Sequence, residues 1–313
     1  FSPGCEMTKY RGRITIIAGY LGSGKTTVVN RLLQGDHGKK ITVMVNDFGA
    51  INIDADLIVR RNQQVMELSN GCVCCSLQGD LVDQLQQLFL SDSEMDHLLI
   101  EASGVSQPGR IASVFGYPQF RANARLDAVV TLIDAANVNT LLPASTELVR
   151  SQIEAADIVI LTKTDLVAQS VINALHEDWL LPNLPVIEAI DGDIPTEVLL
   201  GFHRESSRVT SLPEENHNAN FHAMNWSSQE QISLAEFRIV MKNLSGFLFR
   251  AKGFLHCIEH PETRVLYQKV GSRETFAFAG PWGDKPESRL VAIAENPDGS
   301  KTNFLNDLED CVI

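Results

Sequence analysis

Residues 19–27 read Gly-Tyr-Leu-Gly-Ser-Gly-Lys-Thr-Thr and match the pattern G-x-x-x-x-G-K-[ST] of a phosphate-binding loop. A β-branched, largely apolar run at residues 14–18 comes directly before it, and residues 28–33 after it carry apolar side chains at helical spacing. A strand, a glycine-rich turn and a helix N-terminus together present backbone N–H groups and the positive end of a helix dipole to a phosphate. This context disfavours a chance match and predicts an α/β protein that binds a nucleoside triphosphate.

The residue types within this loop predict how a nucleotide is held. Lys25 is expected to reach the β- and γ-phosphates, and the hydroxyl of Thr26 is expected to hold Mg²⁺. The glycines allow the backbone to curl around phosphate oxygens. The predicted nucleotide-binding residues of the loop are Gly22, Ser23, Gly24, Lys25, Thr26 and Thr27.

Composition limits the class of protein. With 313 residues the chain is long enough for two domains, and its 44% hydrophobic and 21% charged content is ordinary for a globular protein. No apolar run approaches the roughly 18 residues of a membrane helix, so we expect no membrane partner. The net charge of −13 disfavours binding to nucleic acid, which needs a basic face. Residues 1–6 precede Met7, and we expect them to be a cloning remnant outside the fold.

Three of the six cysteines, Cys72, Cys74 and Cys75, lie within four residues of one another in a polar turn. This spacing is not a disulfide framework, and it favours a reducing compartment, the cytoplasm, and a thiolate metal site with zinc as the default ion. Three sulfurs leave a tetrahedral site one ligand short. Water, a carboxylate such as Asp47 or a ligand from a receiving protein can complete it, and the alternative is three buried apolar cysteines.

Acidic residues follow predicted strands at the edge where a nucleotide would bind. Asp47 ends a strand at residues 40–47, and Glu101 ends a strand that begins at His97. Carboxylates there are placed to hold Mg²⁺ or to orient the attacking water, so Lys25, Glu101 and Asp47 are the predicted catalytic residues. Asp54 is a second candidate near Mg²⁺, with an Asx-rich turn as the alternative interpretation.

Residues 162–165 read Thr-Lys-Thr-Asp and are similar to the [NT]-K-x-D base-reading motif of GTPases. The Asp165 carboxylate can accept hydrogen bonds from the two adjacent donors of guanine, whereas adenine presents an acceptor at the same place. The Lys163 stem is expected to lie against the base or to brace the phosphate-binding loop. Thr162 stands where Asn is common, which alters one base contact. The alternative is that Asp165 caps a helix over residues 166–179.

Six predicted strands alternate with helical patterns, which indicates a doubly wound, mostly parallel sheet in a domain spanning residues 7–201. Residues 202–220 are polar and irregular and are expected to form a linker. Residues 221–313 are predicted to form a smaller α+β domain, in which Cys257 and Cys311 are structural.

With these motifs, the chain resembles the CobW-type P-loop GTPases, relatives of the GTPases that insert nickel into urease and hydrogenase. The matching stretches are residues 19–27, 46–49, 71–75, 101–104, 162–165 and 250–253. The resemblance implies hydrolysis of GTP to GDP, zinc or a similar cation at the Cys-x-Cys-Cys motif, and delivery to a client metalloprotein. Asp47 replaces the usual Glu, and Ala50 stands where a second Glu is common, so this sequence lacks the acid on which an accessory metal site would be built.

The leading hypothesis is therefore a GTP-dependent metallochaperone. GTP and Mg²⁺ would order residues 46–54 and reshape the neighbouring cysteine turn, and hydrolysis would then change metal affinity or client docking. One alternative is a P-loop kinase acting on a small molecule, which leaves the three cysteines unexplained. Another is a non-catalytic, zinc-dependent regulator. The oligomeric state stays open, with a homodimer as one alternative.

Overall fold

The chain divides into two compact units. The computed structural model describes residues 12–35, 37–46, 64–67, 77–90, 95–121, 124–201, 221–244, 248–282, 285–295 and 301–313. The first unit comprises Phe1–Trp179 and Glu188–Asp193, and the second comprises Leu180–Ile187 and Ile194–Ile313. The boundaries proposed from the sequence for the two domains and the linker stay predictions.

The first unit is built on a seven-stranded sheet, whose last strand in the chain includes the boundary between Ile187 and Glu188. Its strands are β1 Arg13–Gly19, β2 Ile41–Asn46, β3 Gln64–Glu67, β4 His97–Ala102, β5 Arg125–Asp134, β6 Ile158–Thr162 and β7 Val186–Ala189. They lie in the order β3-β2-β4-β1-β5-β6-β7, and the neighbours from β3 to β6 pair in parallel. The six predicted strands are confirmed. The edge strand β3 was missed, because its four residues, Gln-Val-Met-Glu, are too few and do not show the alternation of polar and apolar types that marks a strand.

Helices join the strands of this sheet. They are α1 Lys25–Gln34, α2 Leu77–Leu90, α3 Pro108–Val114, α4 Pro118–Arg121, α5 Pro143–Glu154 and α6 Gln169–Asp178. All six residues of β4 are buried, as expected for a central strand of a parallel sheet that is covered on both faces. The first residue of β4 is His97, whose buried ring forms a 2.8 Å hydrogen bond between Nε2 and Oγ1 of Thr15 on β1. Within the described residues, no helix is both long and apolar enough to span a membrane.

The second unit contains a five-stranded antiparallel sheet. Its elements are α7 Thr196–Leu200, β8 Phe221–Ser228, α8 Leu234–Asn243, β9 Leu248–Leu255, β10 Thr263–Val270, β11 Arg273–Pro281, β12 Ser288–Glu295 and α9 Lys301–Glu309. The strand order is β11-β10-β9-β12-β8. The predicted α+β architecture is confirmed, although the strand β8 was not foreseen. Phe237 of α8 packs edge-on against Tyr267 of β10, with ring centroids 4.9 Å apart, in the core of this unit.

Two further features belong to this second core. Arg250 of β9 is buried, and its guanidinium donates to the carbonyl oxygens of Val198, at 2.6 Å, and Leu199, at 3.0 Å, near the end of α7. Burial raises the pKa of the Cys257 thiol to about 12, and burial, with nearby acidic residues, raises that of Cys311 to about 11. Both thiols therefore stay protonated at neutral pH, in keeping with a structural role.

Candidate nucleotide site

The phosphate-binding loop connects β1 to α1 and has the backbone that the sequence pattern requires. Gly19, Gly22 and Gly24 adopt φ angles of 139°, 75° and 93°, which side chains with a Cβ rarely tolerate. Gly24 occupies the N-cap position of α1, so the helix N-terminus opens directly into the loop. The Lys25 ammonium donates to the carbonyl oxygens of Gly19 at 3.0 Å and Tyr20 at 3.2 Å. The Lys25 ammonium group thus lies against the backbone at the start of the loop.

Two of the predicted magnesium-site residues lie in direct contact. The Thr26 hydroxyl donates to Glu101 Oε1 at 2.7 Å, although the residues are 75 positions apart in the chain. The contact forms because β4 lies next to β1, with Glu101 in register with Ile17, two residues before the loop begins at Gly19. Glu101 is only 2% exposed. A hydroxyl and a carboxylate oxygen at this spacing are the hard oxygen ligands that Mg²⁺ prefers, so the residues fit that ion.

The segment after β4 packs tightly against the phosphate-binding loop. A Cβ atom added to Gly104 would lie 2.7 Å from the backbone nitrogen of Leu21, so only glycine fits there. The side chain of Gln152, from α5, holds the same segment by donating from Nε2 to the carbonyl oxygens of Gly104, at 3.2 Å, and Ser106, at 2.9 Å. Sequence analysis missed Gln152, and its only signal is a polar residue between the buried positions Val149 and Ile153.

Exchange of Gln152 for leucine is expected to lower the free energy of unfolding by about 1–3 kcal/mol. Leucine has a similar size but leaves the carbonyls of Gly104 and Ser106 without their donor, in a position that is fully buried. Chemical denaturation measures the change. The matched control is Gln169→Leu on the exposed start of α6, for which we expect a change within about 0.5 kcal/mol. Equal effects of the two exchanges would contradict the role assigned to Gln152.

The base-reading motif begins at the end of β6 and is attached to the phosphate-binding loop. Thr162 Oγ1 lies 2.9 Å from the carbonyl oxygen of Ser23 and 3.1 Å from that of Ile133. The Thr162 hydroxyl therefore faces backbone carbonyls, and its contact with Ser23 ties the two motifs together. The next residues, Thr164–Leu166, form a 3₁₀ turn in which Asp165 is exposed.

The alternative interpretation of Asp165 as a helix cap does not match the geometry. Helix α6 begins at Gln169 rather than at residue 166, and Ala168 occupies its N-cap position. Among the residues that the structure describes, no side chain caps this helix. The Asp165 carboxylate is thus available at the carboxyl edge of the sheet, where the sequence motif predicts that the base is read.

Lys163 forms an ion pair that the sequence did not predict. Its ammonium lies 2.7 Å from Oδ2 of Asp134, the last residue of β5. Burial raises the pKa of the Asp134 carboxyl, but hydrogen bonds from Asn137 and Lys163 and the charge of Lys163 outweigh it, so the pKa lies below its ordinary value. Asp134 is therefore ionised at neutral pH.

Several predicted site residues lie outside the described part of the chain. These residues are Asp47, Asp54, Cys72, Cys74 and Cys75. Their assignments stay predictions. Within the residues that the structure does describe, no three His, Cys, Asp or Glu side chains gather into a possible metal site.

Comparison with known proteins places these features in a family. Residues 13–181 match the family described as CobW/HypB/UreG, nucleotide-binding domain. The chain belongs to the CobW/HypB/UreG family. Residues 221–312 also match the cobalamin synthesis protein CobW C-terminal domain. The resemblance proposed from the sequence motifs is confirmed, and the family match covers the phosphate-binding loop, Glu101 and the Thr162–Asp165 motif of this CobW/HypB/UreG chain.

Three curated relatives are similar along most of this CobW/HypB/UreG chain. Zinc chaperone YjiA of Escherichia coli strain K12 is 33% identical over 299 residues, which cover 90% of the chain and 93% of the relative. Zinc chaperone CobW of a Sinorhizobium species is 28% identical, with 89% of the chain and 91% of the relative covered. Zinc-regulated GTPase metalloprotein activator 1 of Dictyostelium discoideum is 25% identical, with 86% of the chain and 68% of the relative covered.

Proposed function

We propose that this protein is a GTP-hydrolysing zinc chaperone that carries zinc at Cys72, Cys74 and Cys75 and delivers it to a client metalloprotein. The observation that carries the hydrolytic part is the 2.7 Å contact between Thr26 and Glu101, which joins the phosphate-binding loop to the acid at the end of β4. The zinc part is supported by the cysteine spacing and by relatives named zinc chaperones.

The reaction is hydrolysis of the β–γ phosphoanhydride of GTP. Water attacks the γ-phosphorus, the bond to the bridging oxygen breaks, and GDP and phosphate leave. Lys25 can exchange its two carbonyl contacts for phosphate oxygens, where its positive charge offsets the negative charge that gathers in the transition state. The backbone N–H groups of residues 22–24 and the N-terminus of α1 hold the phosphates in place.

Thr26 and Glu101 are the described residues that would hold Mg²⁺, with Asp47 as a third, predicted ligand. When bound, Mg²⁺ would neutralise charge on the β- and γ-phosphate oxygens. Glu101 is also the best candidate to orient the attacking water, because its buried carboxylate lies beside the loop. Gly104, packed on Leu21, brings the backbone after β4 against the phosphate-binding loop, where the γ-phosphate would bind.

The base is proposed to be guanine. Asp165 lies exposed in the 3₁₀ turn after β6, and Thr162 connects that turn to Ser23 of the phosphate-binding loop. A carboxylate can accept both adjacent donors of guanine, whereas adenine would leave it facing an acceptor. This preference distinguishes the proposal from an ATP-dependent kinase, for which ATP would bind in preference to GTP.

Zinc binding and nucleotide state are proposed to be coupled through chain connectivity. Residues 46–54 begin at the last residue of β2, and the cysteine turn comes later in the chain than β3, which pairs with β2. The carboxyl ends of β2 and β3, from which the chain continues into these segments, lie at the same edge of the sheet as the carboxyl end of β1. A γ-phosphate that orders residues 46–54 would alter the neighbouring thiolates, and its loss would change zinc affinity or client docking.

Exchange of Cys72, Cys74 or Cys75 for alanine is expected to lower zinc affinity at least roughly tenfold, because each removes a thiolate ligand. Metal analysis of the purified proteins should give about one zinc per chain for the wild type and far less for the three variants. Titration of Zn²⁺ with and without a non-hydrolysable GTP analogue then tests the coupling.

The matched control for this test is Cys5→Ala, a cysteine outside the motif that should leave zinc content unchanged. Unchanged stoichiometric zinc in all three motif variants would remove the proposed zinc site. Identical zinc affinities with and without the analogue would remove the coupling and leave the zinc site standing.

A further inference from the structure

Three donors converge on the carboxylate of Asp134 at the carboxyl end of β5. The Lys163 ammonium lies 2.7 Å from Oδ2, the Asn137 side-chain amide donates to the same oxygen at 2.8 Å, and the backbone N–H of Ala136 donates to Oδ1 at 3.0 Å. Asp134 is 12% exposed at its side chain, so the ion pair is partly shielded from water. The carboxylate is thus held on both oxygens, in one orientation.

The backbone of Lys163 is in an unfavourable conformation, which the ion pair with Asp134 can help to stabilise. Its φ and ψ angles of 58° and 34° lie in the left-handed region, which non-glycine residues adopt rarely. Charge-assisted hydrogen bonds are the stronger kind, and Asn137 fixes the acceptor in advance. An isolated ion pair on the surface would contribute little to stability. This pair has a carboxylate that is already oriented and a position that is partly shielded from water.

The left-handed turn at Lys163 sets the position of Asp165. The chain turns into the 3₁₀ segment Thr164–Leu166 directly after Lys163, and the N–H of Leu166 donates to the Lys163 carbonyl at 3.1 Å. Asp134 and Thr162 are register partners on β5 and β6, and the N–H of Ala135 donates to the Thr162 carbonyl at 3.0 Å. Backbone pairing and the Asp134–Lys163 ion pair therefore connect the turn after β5 to the base-reading turn after β6.

We infer that Asp134 is a positioning residue for guanine recognition, which holds Lys163 and with it the left-handed turn that presents Asp165 to the base. The inference rests on the proposed function, because it takes Asp165 as the residue that reads guanine. Asp134 lies one strand away from Asp165 and acts through Lys163. Phosphate binding is a separate contact made by the loop between β1 and α1.

The readout is the ratio of the affinities for GDP and for IDP, which lacks the 2-amino group that guanine offers to Asp165. Asp134→Asn keeps the size of the side chain and removes its charge. We expect this exchange to lower the GDP to IDP affinity ratio by roughly three- to tenfold, because the Asp165 carboxylate is less well placed. Asp165→Ala, which removes the direct contact, sets the lower limit of that ratio. Competition against a fluorescent guanine nucleotide measures both affinities.

Asp127→Asn is the matched control. Asp127 lies at the other end of the same strand and pairs with Arg13 at 3.8 Å, so it tests loss of an ion pair from β5 without a change at the nucleotide edge. Its affinity ratio should equal that of the wild type. If Asp134→Asn fails to fold, Asn137→Ala removes one of the hydrogen bonds that orient the carboxylate and should lower the ratio by a smaller factor.

The outcomes separate this inference from the proposed function. A wild-type protein that binds GDP and IDP equally would overturn the guanine-reading role of Asp165, and this inference with it. If Asp165→Ala lowers the ratio while Asp134→Asn keeps the wild-type value, only the inference is overturned. A loss of affinity for both nucleotides by the same factor would also overturn it, because that result indicates a general structural role.

Discussion

Exchange of Lys25 for alanine is expected to lower the rate of GTP hydrolysis by about 10²- to 10³-fold. The lysine is the cation that the phosphate-binding loop encloses, at 3.0 Å from the Gly19 carbonyl and 3.2 Å from that of Tyr20. Its removal leaves the negative charge of the transition state without its closest positive partner from the protein. Phosphate release under single-turnover conditions measures the effect on the chemical step.

A second exchange, Lys25→Arg, sharpens the test of this role. Arginine keeps the charge but is longer and planar, so it should restore nucleotide binding more than hydrolysis. Lys242→Ala, an exposed lysine at the end of α8, is the matched control and should hydrolyse GTP at the wild-type rate. Hydrolysis by Lys25→Ala within a few-fold of the wild-type rate would contradict the proposed mechanism.

Exchange of Gly104 for alanine is expected to damage the site by steric overlap. The added Cβ would lie 2.6 Å from Cδ2 of Leu21 and 2.7 Å from its backbone nitrogen. The exposed Leu21 side chain can move, but the backbone nitrogen belongs to the phosphate-binding loop, so the loop itself must shift. We expect a fall of about 1–3 kcal/mol in the free energy of unfolding and a fall of roughly 10²-fold in kcat/KM for GTP hydrolysis.

Gly109→Ala is the matched control for that exchange. Gly109 lies five residues further along, inside α3, where an added Cβ would lie 3.6 Å from the Ala155 side chain, an ordinary contact. Alanine also favours a helix over glycine, so this variant should be neutral or more stable by up to about 1 kcal/mol. If Gly104→Ala behaves like Gly109→Ala in both stability and hydrolysis, the close approach of Gly104 to the loop is not needed for function.

Local sequence pattern was sufficient to predict the strands and helices whose signals lie within one short stretch of the chain. The loop at residues 19–27, the strand before it and α1 after it follow from glycine positions and apolar spacing within a short window. The central strands were equally clear, because a strand covered on both faces is apolar throughout, as in β4. The family could be recognised for the same reason, since its motifs are short and local.

Pattern failed where an element is short, exposed or irregular. The edge strand β3 has four residues, and its pairing with β2 rather than its composition makes it a strand. The start of α6 was placed at residue 166, but a 3₁₀ turn and Val167 come first, and the helix begins at Gln169. That difference matters for function, because it frees Asp165 from a capping role.

The contacts that turn these motifs into a site come from residues far apart in the chain. Thr162 is hydrogen-bonded to Ser23, which lies 139 positions away in the sequence. The pair Thr26 and Glu101 is separated by 75 positions, and the pair Gln152 and Gly104 by 48. No periodicity encodes such pairs. They follow from the strand order β4-β1-β5-β6, which brings the carboxyl ends of strands distant in sequence to one edge.

The residue types of the phosphate-binding loop, the acid near the end of β4 and the base-reading motif can therefore be recognised in the sequence, because each chemical role needs a particular side chain at a particular spacing. The positioning residues Asp134 and Gln152 cannot be recognised in this way, since an aspartate at the end of a strand and a glutamine in a helix are common. Their roles exist because the folded sheet places Lys163 beside Asp134 and the Gly104–Ser106 carbonyls beside Gln152. Hydrogen bonding depends on distance and direction in space, and sequence separation does not encode either.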